Sequence, residues 1–275
     1  MKNKSDSDFF KKKLPDIQVP LKAFLIYTFQ FLVFILFIVF FLWLSPVVWF
    51  GALIVFFVVV FIAVFPLIFF TKNIKKIRRV YRSKYGNLAY QKIWYKYFVY
   101  VAPATRASLI LIIALKTDYF LPSIISLPEH YMTLSIFPFS IAFPIGILIT
   151  IFGFLAGRKT GGYDDDIDSY VYLVYPEKSR NISGGLYQYI RHPQYLSIIL
   201  VGLGFGFIAN NWLAISCATI YFFSYYLLLK VEDKELIIRF DETYGSYCKN
   251  IPALIPKYKH IKDFLKIVIF GYKKD

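Results

Sequence analysis

The sequence predicts an all-α fold, a polytopic integral membrane helical bundle of about six spans. Hydrophobic residues make up 58% of the 275 residues and charged residues only 18%. Soluble globular domains are about 45–50% apolar and about 25% charged, so the composition excludes an ordinary soluble domain. It also excludes intrinsic disorder, which requires low hydrophobicity. Several uncharged runs are long enough to cross the hydrocarbon core of a bilayer.

The net charge of +15 admits two kinds of partner, nucleic acid or anionic membrane lipid. The hydrophobicity favours lipid, and the position of the cations along the chain should decide between them. The two cysteines, Cys217 and Cys248, form no Cys-x-x-Cys pair, and the chain has only three histidines. We therefore expect neither a disulfide framework nor a zinc site.

The first two spans follow a basic tail at residues 1–22. Residues 23–44 form an uncharged run of 22 residues, long enough for a hydrocarbon core of ~30 Å. The run is longer than the apolar region of about 7–15 residues in a signal peptide, so we expect it to be retained. Residues 47–70 form the second span, which begins after Pro46 and contains Pro66. Neighbouring helices would have to accommodate this proline.

A strongly basic segment at residues 71–96 follows the second span. It contains nine cations and no acid: Lys72, Lys75, Lys76, Arg78, Arg79, Arg82, Lys84, Lys92 and Lys96. Tyrosine and tryptophan residues lie between them, as in some RNA-binding surfaces. Because membrane spans flank the segment, we favour a cytoplasmic loop that obeys the positive-inside rule, with its aromatic residues at the level of the headgroups.

The third span has two possible positions. Residues 97–115 would cross with Arg106 near mid-depth, whereas residues 107–127 would cross with Lys116 and Asp118 inside. We favour the first. Arg106 is then an intramembrane charge and a candidate functional residue, either holding a phosphate group or anchoring the helix.

The fourth span, at residues 133–156, completes a four-helix N-terminal part at residues 23–156. Its prolines and glycines predict a kink within the membrane. A polar segment, residues 157–189, separates it from two short apolar runs at residues 195–209 and 212–229. Asn210 and Asn211 join these runs, which predicts an antiparallel helical hairpin.

Six spans place both termini on one side of the membrane. With the amino terminus inside, Arg106 lies within the membrane and Lys116 outside, and the rest of the 32 Lys and Arg residues are cytoplasmic. This distribution predicts a multi-pass membrane protein with both termini in the cytoplasm. It also explains the positive charge without nucleic acid.

The geometry of the last hairpin brings two charged groups together. Residues equally distant from its turn lie at similar depth, so Arg191 and His192 should emerge opposite Glu232, Asp233 and Glu235. Pro193 suits the first turn of a helix, because it lacks an N–H. The first free amides of that helix should therefore point toward the same cytoplasmic mouth and attract an anionic group.

The segment from Gly185 to Tyr195, Gly-Leu-Tyr-Gln-Tyr-Ile-Arg-His-Pro-Gln-Tyr, resembles a signature of membrane methyltransferases. The superfamily is that of the isoprenylcysteine carboxyl methyltransferases and phospholipid N-methyltransferases. A second block, which begins at Glu232, resembles its paired-carboxylate helix and trailing tail. Three positions depart from the family: Ser197 and Asp241 replace the usual glycines, and Asp233 replaces the second glutamate.

The resemblance implies a methyltransferase core at residues 157–257, containing the motif loop, the hairpin at residues 193–229 and the carboxylate helix. It implies S-adenosylmethionine as cofactor, bound at the cytoplasmic mouth, and no metal. The cofactor-binding residues carried over by motif are Ile182, Tyr187, Arg191, His192, Pro193, Gln194, Tyr195, Glu232 and Asp233. No catalytic residue is assigned, because methyl transfer is a displacement in which the cofactor supplies the chemistry.

These residue types suit the implied cofactor. Its sulfonium favours the faces of Tyr187 and Tyr195, its ammonium the carboxylate of Glu232, and its carboxylate Arg191 or His192. The acceptor would be a membrane lipid or lipidated molecule: a phospholipid amine, an isoprenylcysteine carboxylate or a small thiol. An amine must lose a proton, which His192 or Glu232 could accept, whereas a carboxylate needs no base.

Two alternatives stay open. An NADPH-dependent membrane sterol or enone reductase has a related Arg-His-x-x-Tyr segment, but typically Asn where this chain has Gln194. A membrane scaffold with a decayed pocket would not retain Tyr187, His192 and Glu232. Residues 258–275 read as an amphipathic basic tail that lies on anionic inner-leaflet lipid. The oligomeric state is not predicted.

Overall fold

The protein is all-α in the part that its computed structural model describes, which confirms the all-α part of the predicted fold class. The described residues are 21–44, 50–89, 92–93, 96, 103–116, 132, 134–160 and 183–271. They contain no β-strand beyond an isolated bridge between Ser135 and Asn211. The helices are α1 (Leu21–Leu44), α2 (Gly51–Tyr85), α3 (Pro103–Ile112), α4 (Phe139–Thr160), α5 (Pro193–Ala209), α6 (Trp212–Asn250) and α7 (Ile261–Phe270).

Two of the described helices, α4 and α6, are long and apolar enough to cross a membrane. The segments Gly51–Pro66 and Thr71–Tyr85 of α2 meet at 53° and count as a third span if taken together. The apolar stretch Thr28–Leu44 of α1 and the helix α5 are shorter. These helices support a membrane protein, whereas the count of six spans stays a prediction. Of the third predicted span, residues 97–102 lie outside the described residues, and the remainder contains the short helix α3 (Pro103–Ile112).

The outer faces of the helices carry large apolar side chains. Phe29, Phe57, Phe61 and Leu148 are each more than half exposed. Exposed apolar surface on this scale marks contact with lipid or another partner. The basic segment after the second predicted span is helical up to Tyr85, as a continuation of α2. There Arg78 pairs with Glu235 of α6 at 3.3 Å, which joins the two helices beyond their apolar parts.

Glycines let α4 and α5 approach closely. A Cβ at Gly146 would lie 2.7 to 2.9 Å from Ile208 and from the Gly204 carbonyl, and a Cβ at Gly153 would lie 3.0 Å from the Val201 nitrogen. Small residues at this spacing allow two helices to pack backbone against backbone in lipid. The sequence predicted that these two glycines contribute to a kink. In the structure they allow α4 and α5 to pack closely.

Substituting Gly146 by alanine should destabilise the protein by about 2 kcal/mol, because backbone atoms of α5 occupy the space of the new methyl group. The measurement is the thermal unfolding midpoint of the purified protein. Gly245→Ala is the matched control, since nothing lies within 4 Å of a Cβ there. It should raise stability by about 0.5 kcal/mol through helix propensity. Equal midpoints for the two variants would contradict the packing.

Asparagine side chains build the turn between α5 and α6. Asn210 adopts φ 50°, ψ 40°, and its side chain accepts from the Phe137 N–H at 3.1 Å and donates to the Phe137 carbonyl at 2.7 Å. Asn211 caps α6 by accepting from the Ala214 N–H at 2.9 Å. Both asparagines are buried. The turn is therefore tied to the segment that leads into α4, and α5 and α6 pack against each other from it.

Helix α6 continues past its apolar part to Asn250, with a break at Asp241. This residue has φ 47° and ψ −135°, a backbone conformation that glycine adopts without strain and other residues do not. The family that the sequence resembles is expected to have glycine at this position. The departure noted in the sequence thus falls where the backbone most favours glycine.

Replacing Asp241 by glycine should stabilise the protein by about 1 kcal/mol, because it removes the steric penalty of the positive φ. Asp241→Ala retains the Cβ and is the control, with little change expected. Chemical unfolding of both variants under identical conditions measures the difference. A glycine variant no more stable than the alanine variant would show that the break carries no strain.

Candidate functional site

The site begins where the motif loop enters α5. Residues Gly185–Gln188 form a 3₁₀ turn that starts from a positive φ of 61° at Gly185. Pro193 occupies the first turn of α5, as expected, and His192 precedes it as the N-cap residue. The proline has a compatible φ and removes an N–H that would have no partner in the helix. This arrangement places Arg191 and His192 immediately before the N-terminal end of α5.

The chain after α6 returns across this loop. The backbone N–H of Arg191 donates to the Pro252 carbonyl at 2.9 Å, and that of His192 donates to the Ala253 carbonyl at 3.0 Å. The Arg191 guanidinium also donates to the Cys248 and Ile251 carbonyls, at 3.0 and 2.5 Å. The motif loop and the tail are therefore held together through backbone groups on both sides.

The Asp233 carboxylate joins α6 to this loop. It accepts from the Arg191 guanidinium at 2.8 Å, from His192 Nε2 at 2.7 Å and from the Tyr244 hydroxyl at 2.8 Å. Burial by itself would lower the pKa of Arg191, but the hydrogen bond and the charge of Asp233 raise it above the ordinary value. Asp233 and Arg191 thus form a charged pair whose polar atoms are largely used within the protein.

Glu232 lies next to this pair and is differently placed. Its Oε2 atom is buried and has no hydrogen-bond partner among the described residues, and His192 Nδ1 lies 3.8 Å away. The Tyr195 hydroxyl interacts with the same carboxylate. Burial raises the pKa of the Tyr187 phenol to about 12, and the charge of Glu232 adds to the rise. Glu232 is thus a carboxylate with a spare buried oxygen, surrounded by His192, Tyr187 and Tyr195.

A row of aromatic rings extends from His192 into the helical bundle. Ring centroids lie 5.5 Å apart for His192 and Tyr195, 5.8 Å for Tyr195 and Tyr225, and 4.9 Å for Tyr225 and Tyr221. Such spacing allows favourable edge-to-face contacts. The row connects the mouth of the site to the core between α5 and α6.

Arg106 of α3 meets this row at Tyr225. Its guanidinium lies 5.1 Å from the centre of the Tyr225 ring and donates to the Tyr225 hydroxyl, and the residue is 1% exposed. The contact offsets part of the free-energy cost of burying this charge inside the bundle. Arg106 therefore contacts the aromatic row at Tyr225, and the surrounding protein covers its guanidinium.

The structure brings together most of the residues that the sequence singled out. Tyr187, His192, Tyr195 and Glu232 form one cluster, Arg191 and Asp233 form the adjacent pair, and Pro193 is buried beneath them. Gln194 lies in the first turn of α5 and is exposed. Ile182 lies outside the described residues.

Sequence reasoning did not select Tyr244 and the tail carbonyls as part of the site. Nothing in the spacing of Tyr244 from Asp233 predicts a contact across a break in the helix. The roles of the Cys248 and Ile251 carbonyls could not be predicted from the sequence, since every residue has a backbone carbonyl.

The helices that build this site carry a recognisable family pattern. Residues 141–243 match the model of the phospholipid methyltransferase family. That family belongs to the membrane methyltransferase superfamily that also contains the isoprenylcysteine carboxyl methyltransferases, so the predicted resemblance is confirmed. No curated protein and no solved structure matches the chain.

The matched segment, residues 141–243, contains most of the site, whereas Arg106, Tyr244 and the tail carbonyls lie outside it. It runs from the start of α4 through the motif loop and α5 to the break in α6, and it includes both Glu232 and Asp233. The match supports a membrane methyltransferase. It does not support the reductase alternative.

Neutralising Asp233 and neutralising the adjacent Glu232 should have different consequences for stability. Asp233→Asn should destabilise the protein by about 2 kcal/mol, because Arg191 and His192 lose a charged acceptor. Glu232→Gln should leave stability nearly unchanged, because the Glu232 side chain is 40% exposed and its Oε2 accepts no hydrogen bond from the described residues. Thermal unfolding of the two variants, without added ligand, measures both effects. Equal losses would mean that Glu232 is as fully bonded as Asp233.

Proposed function

We propose that the protein transfers a methyl group from S-adenosylmethionine to the headgroup amine of a membrane phospholipid. The observation that carries the proposal is the Oε2 atom of Glu232, which has no hydrogen-bond partner among the described residues and lies within the matched segment. The Glu232 side chain as a whole is 40% exposed, so a ligand can reach the carboxylate and donate to this oxygen. The family description, phospholipid methyltransferase, supports the amine acceptor over an isoprenylcysteine carboxylate or a small thiol.

The residues around Glu232 fit the proposed cofactor by their chemistry. Glu232 suits the ammonium group, and the rings of Tyr187 and Tyr195 suit the sulfonium. The first amides of α5, at Gln194 and Tyr195, suit the carboxylate, since helix N-termini favour anions. Ile182, on the preceding segment, is proposed to complete the pocket.

Arg191, Asp233 and Pro193 have a supporting role in this proposal. The hydrogen bonds of Arg191 and Asp233 go to each other, to His192 and to the tail. These contacts orient the His192 ring and hold the loop against α6, while Pro193 starts α5. We therefore propose them as positioning residues behind the pocket rather than as its walls.

When bound, S-adenosylmethionine supplies an electrophilic methyl carbon on its sulfonium. The protein must orient the acceptor nitrogen in line with that carbon and exclude water. A lipid ammonium must first lose a proton. If His192 donates from Nε2 to Asp233, its Nδ1 remains available to accept that proton, with Glu232 beside it.

The proposed topology places this chemistry at the cytoplasmic end of a six-span bundle with both termini in the cytoplasm. Helix α5 has only 17 residues, so its start should lie within the membrane interface. A soluble cofactor and a lipid headgroup can both reach that level. The distribution of Lys and Arg supports this orientation.

Incubating the purified protein and native lipid extract with methyl-labelled S-adenosylmethionine tests the function. We expect label in a phospholipid with a more methylated amine. Label on a prenylated cysteine would change the acceptor. Absence of label together with absence of cofactor binding would overturn the proposal, and NADPH binding in its place would select the reductase.

The role of Glu232 is tested by binding of S-adenosylmethionine to Glu232→Gln. Loss of a charged partner should weaken binding about tenfold, because hydrogen bonds to charged groups contribute about 1.5–3 kcal/mol. Glu242→Gln is the matched control, since Glu242 is exposed and lies beyond the break in α6. It should bind as the unsubstituted protein does. Equal dissociation constants for the two variants would remove Glu232 from the cofactor site.

A further inference from the structure

Helix α7 has two apolar faces. The inner face, Phe264 and Val268, is 3% and 0% exposed and packs against Ala156 of α4 and against Leu186 and Ile190 of the motif loop. The outer face carries Leu265 and Ile269, which are 37% and 51% exposed. The inner face holds the helix on the protein, so the outer face requires a separate explanation.

Lysines border the outer apolar face. Leu265 and Ile269 are four residues apart and lie on one side of the helix, and Lys262 and Lys266, also four residues apart, form an exposed row next to them. Asp263 lies on a different side, away from Ile269. An apolar strip bordered by cations is the pattern of a helix that lies in a membrane interface and contacts anionic headgroups.

The position of α7 on α4 places this strip at the membrane surface. Helix α4 is one of the helices apolar enough to cross a membrane, and Phe154 on it is 55% exposed. One turn later α4 carries the cations Arg158 and Lys159. Helix α7 packs at Phe152, Leu155 and Ala156, in the last apolar turns before these cations. It therefore lies at the boundary between hydrocarbon and headgroups.

We propose that the outer face of α7 docks on the anionic lipid leaflet and that this docking holds the motif loop in place. The connection to the loop is direct, because Phe264 contacts the ring of Tyr189, with centroids 6.4 Å apart, and His260 contacts the same ring at 5.8 Å. Leu186 and Ile190, on either side of Tyr189, pack on α7. Lipid that holds α7 in place therefore also holds the loop that carries Tyr187 and Arg191.

Site-specific quenching tests the docking. A fluorophore is attached to Ile269→Cys or to Asp263→Cys, each in a Cys248→Ser background, in bilayers of phosphatidylcholine and phosphatidylglycerol. A lipid-borne spin label should quench the fluorophore at position 269, and iodide should quench the one at position 263. Iodide quenching of equal strength at both positions would overturn the docking. Protection of position 269 from both quenchers would indicate a protein partner and would also overturn it.

Hydrogen exchange tests the connection to the loop and needs no cysteine. Amides of residues 186–190 should exchange about tenfold more slowly when phosphatidylglycerol is added to phosphatidylcholine, since Lys262 and Lys266 are attracted to the anionic surface and retain α7 there. The double variant Lys262→Gln and Lys266→Gln should lose this difference. Lys72→Gln with Lys75→Gln removes the same charge from α2 and should retain it. Exchange that ignores lipid composition would refute the connection, whatever the outcome of the methylation assay.

Discussion

The Asp233 carboxylate is the interaction on which the rest of the site depends. It bonds to Arg191 and His192 of the motif loop and to Tyr244 beyond the break in α6. Three segments that are distant in sequence therefore meet at one charged group. Asp233 accepts from both Arg191 and His192, whereas the Oε2 atom of the neighbouring Glu232 has no hydrogen-bond partner among the described residues. A structural carboxylate and a carboxylate suited to a ligand thus stand side by side on one helix.

Close packing in the membrane supports this arrangement. Gly146 and Gly153 let α4 lie against α5, and the Asn210 side chain ties the turn after α5 back to the segment before α4. The start of α5, where His192 lies, is thereby held in a defined position relative to α4. The aromatic row and the contact of Arg106 with Tyr225 continue this packing into the bundle. A site at the end of a helical bundle needs such support, because residues there have few neighbours.

The paired residues Glu232 and Asp233 show how far sequence reasoning could go. Hairpin symmetry predicted that Arg191 and His192 would face Glu232, Asp233 and Glu235. The structure has contacts with the first two, whereas Glu235 pairs with Arg78 and Arg239. Which acid would bind Arg191 could not be predicted, because both have the same charge and are adjacent. The choice depends on the direction of each side chain from α6 and on the return of the tail. Backbone carbonyls of the same tail accept hydrogen bonds from Arg191. These contacts could not be predicted from the sequence, because every residue type has a backbone carbonyl.

The sequence by itself determined the all-α membrane class, the start of α5 at Pro193 and the residue types around the site. These features follow from local chemistry: apolar length, the missing N–H of proline and the charges needed by a ligand. Only the tertiary structure decided that Asp233 is bonded and Glu232 spare, that Arg106 reaches Tyr225, and that α7 packs on the motif loop. Each of these depends on segments far apart in the chain, whose contacts are set by packing and by the need to satisfy buried polar groups.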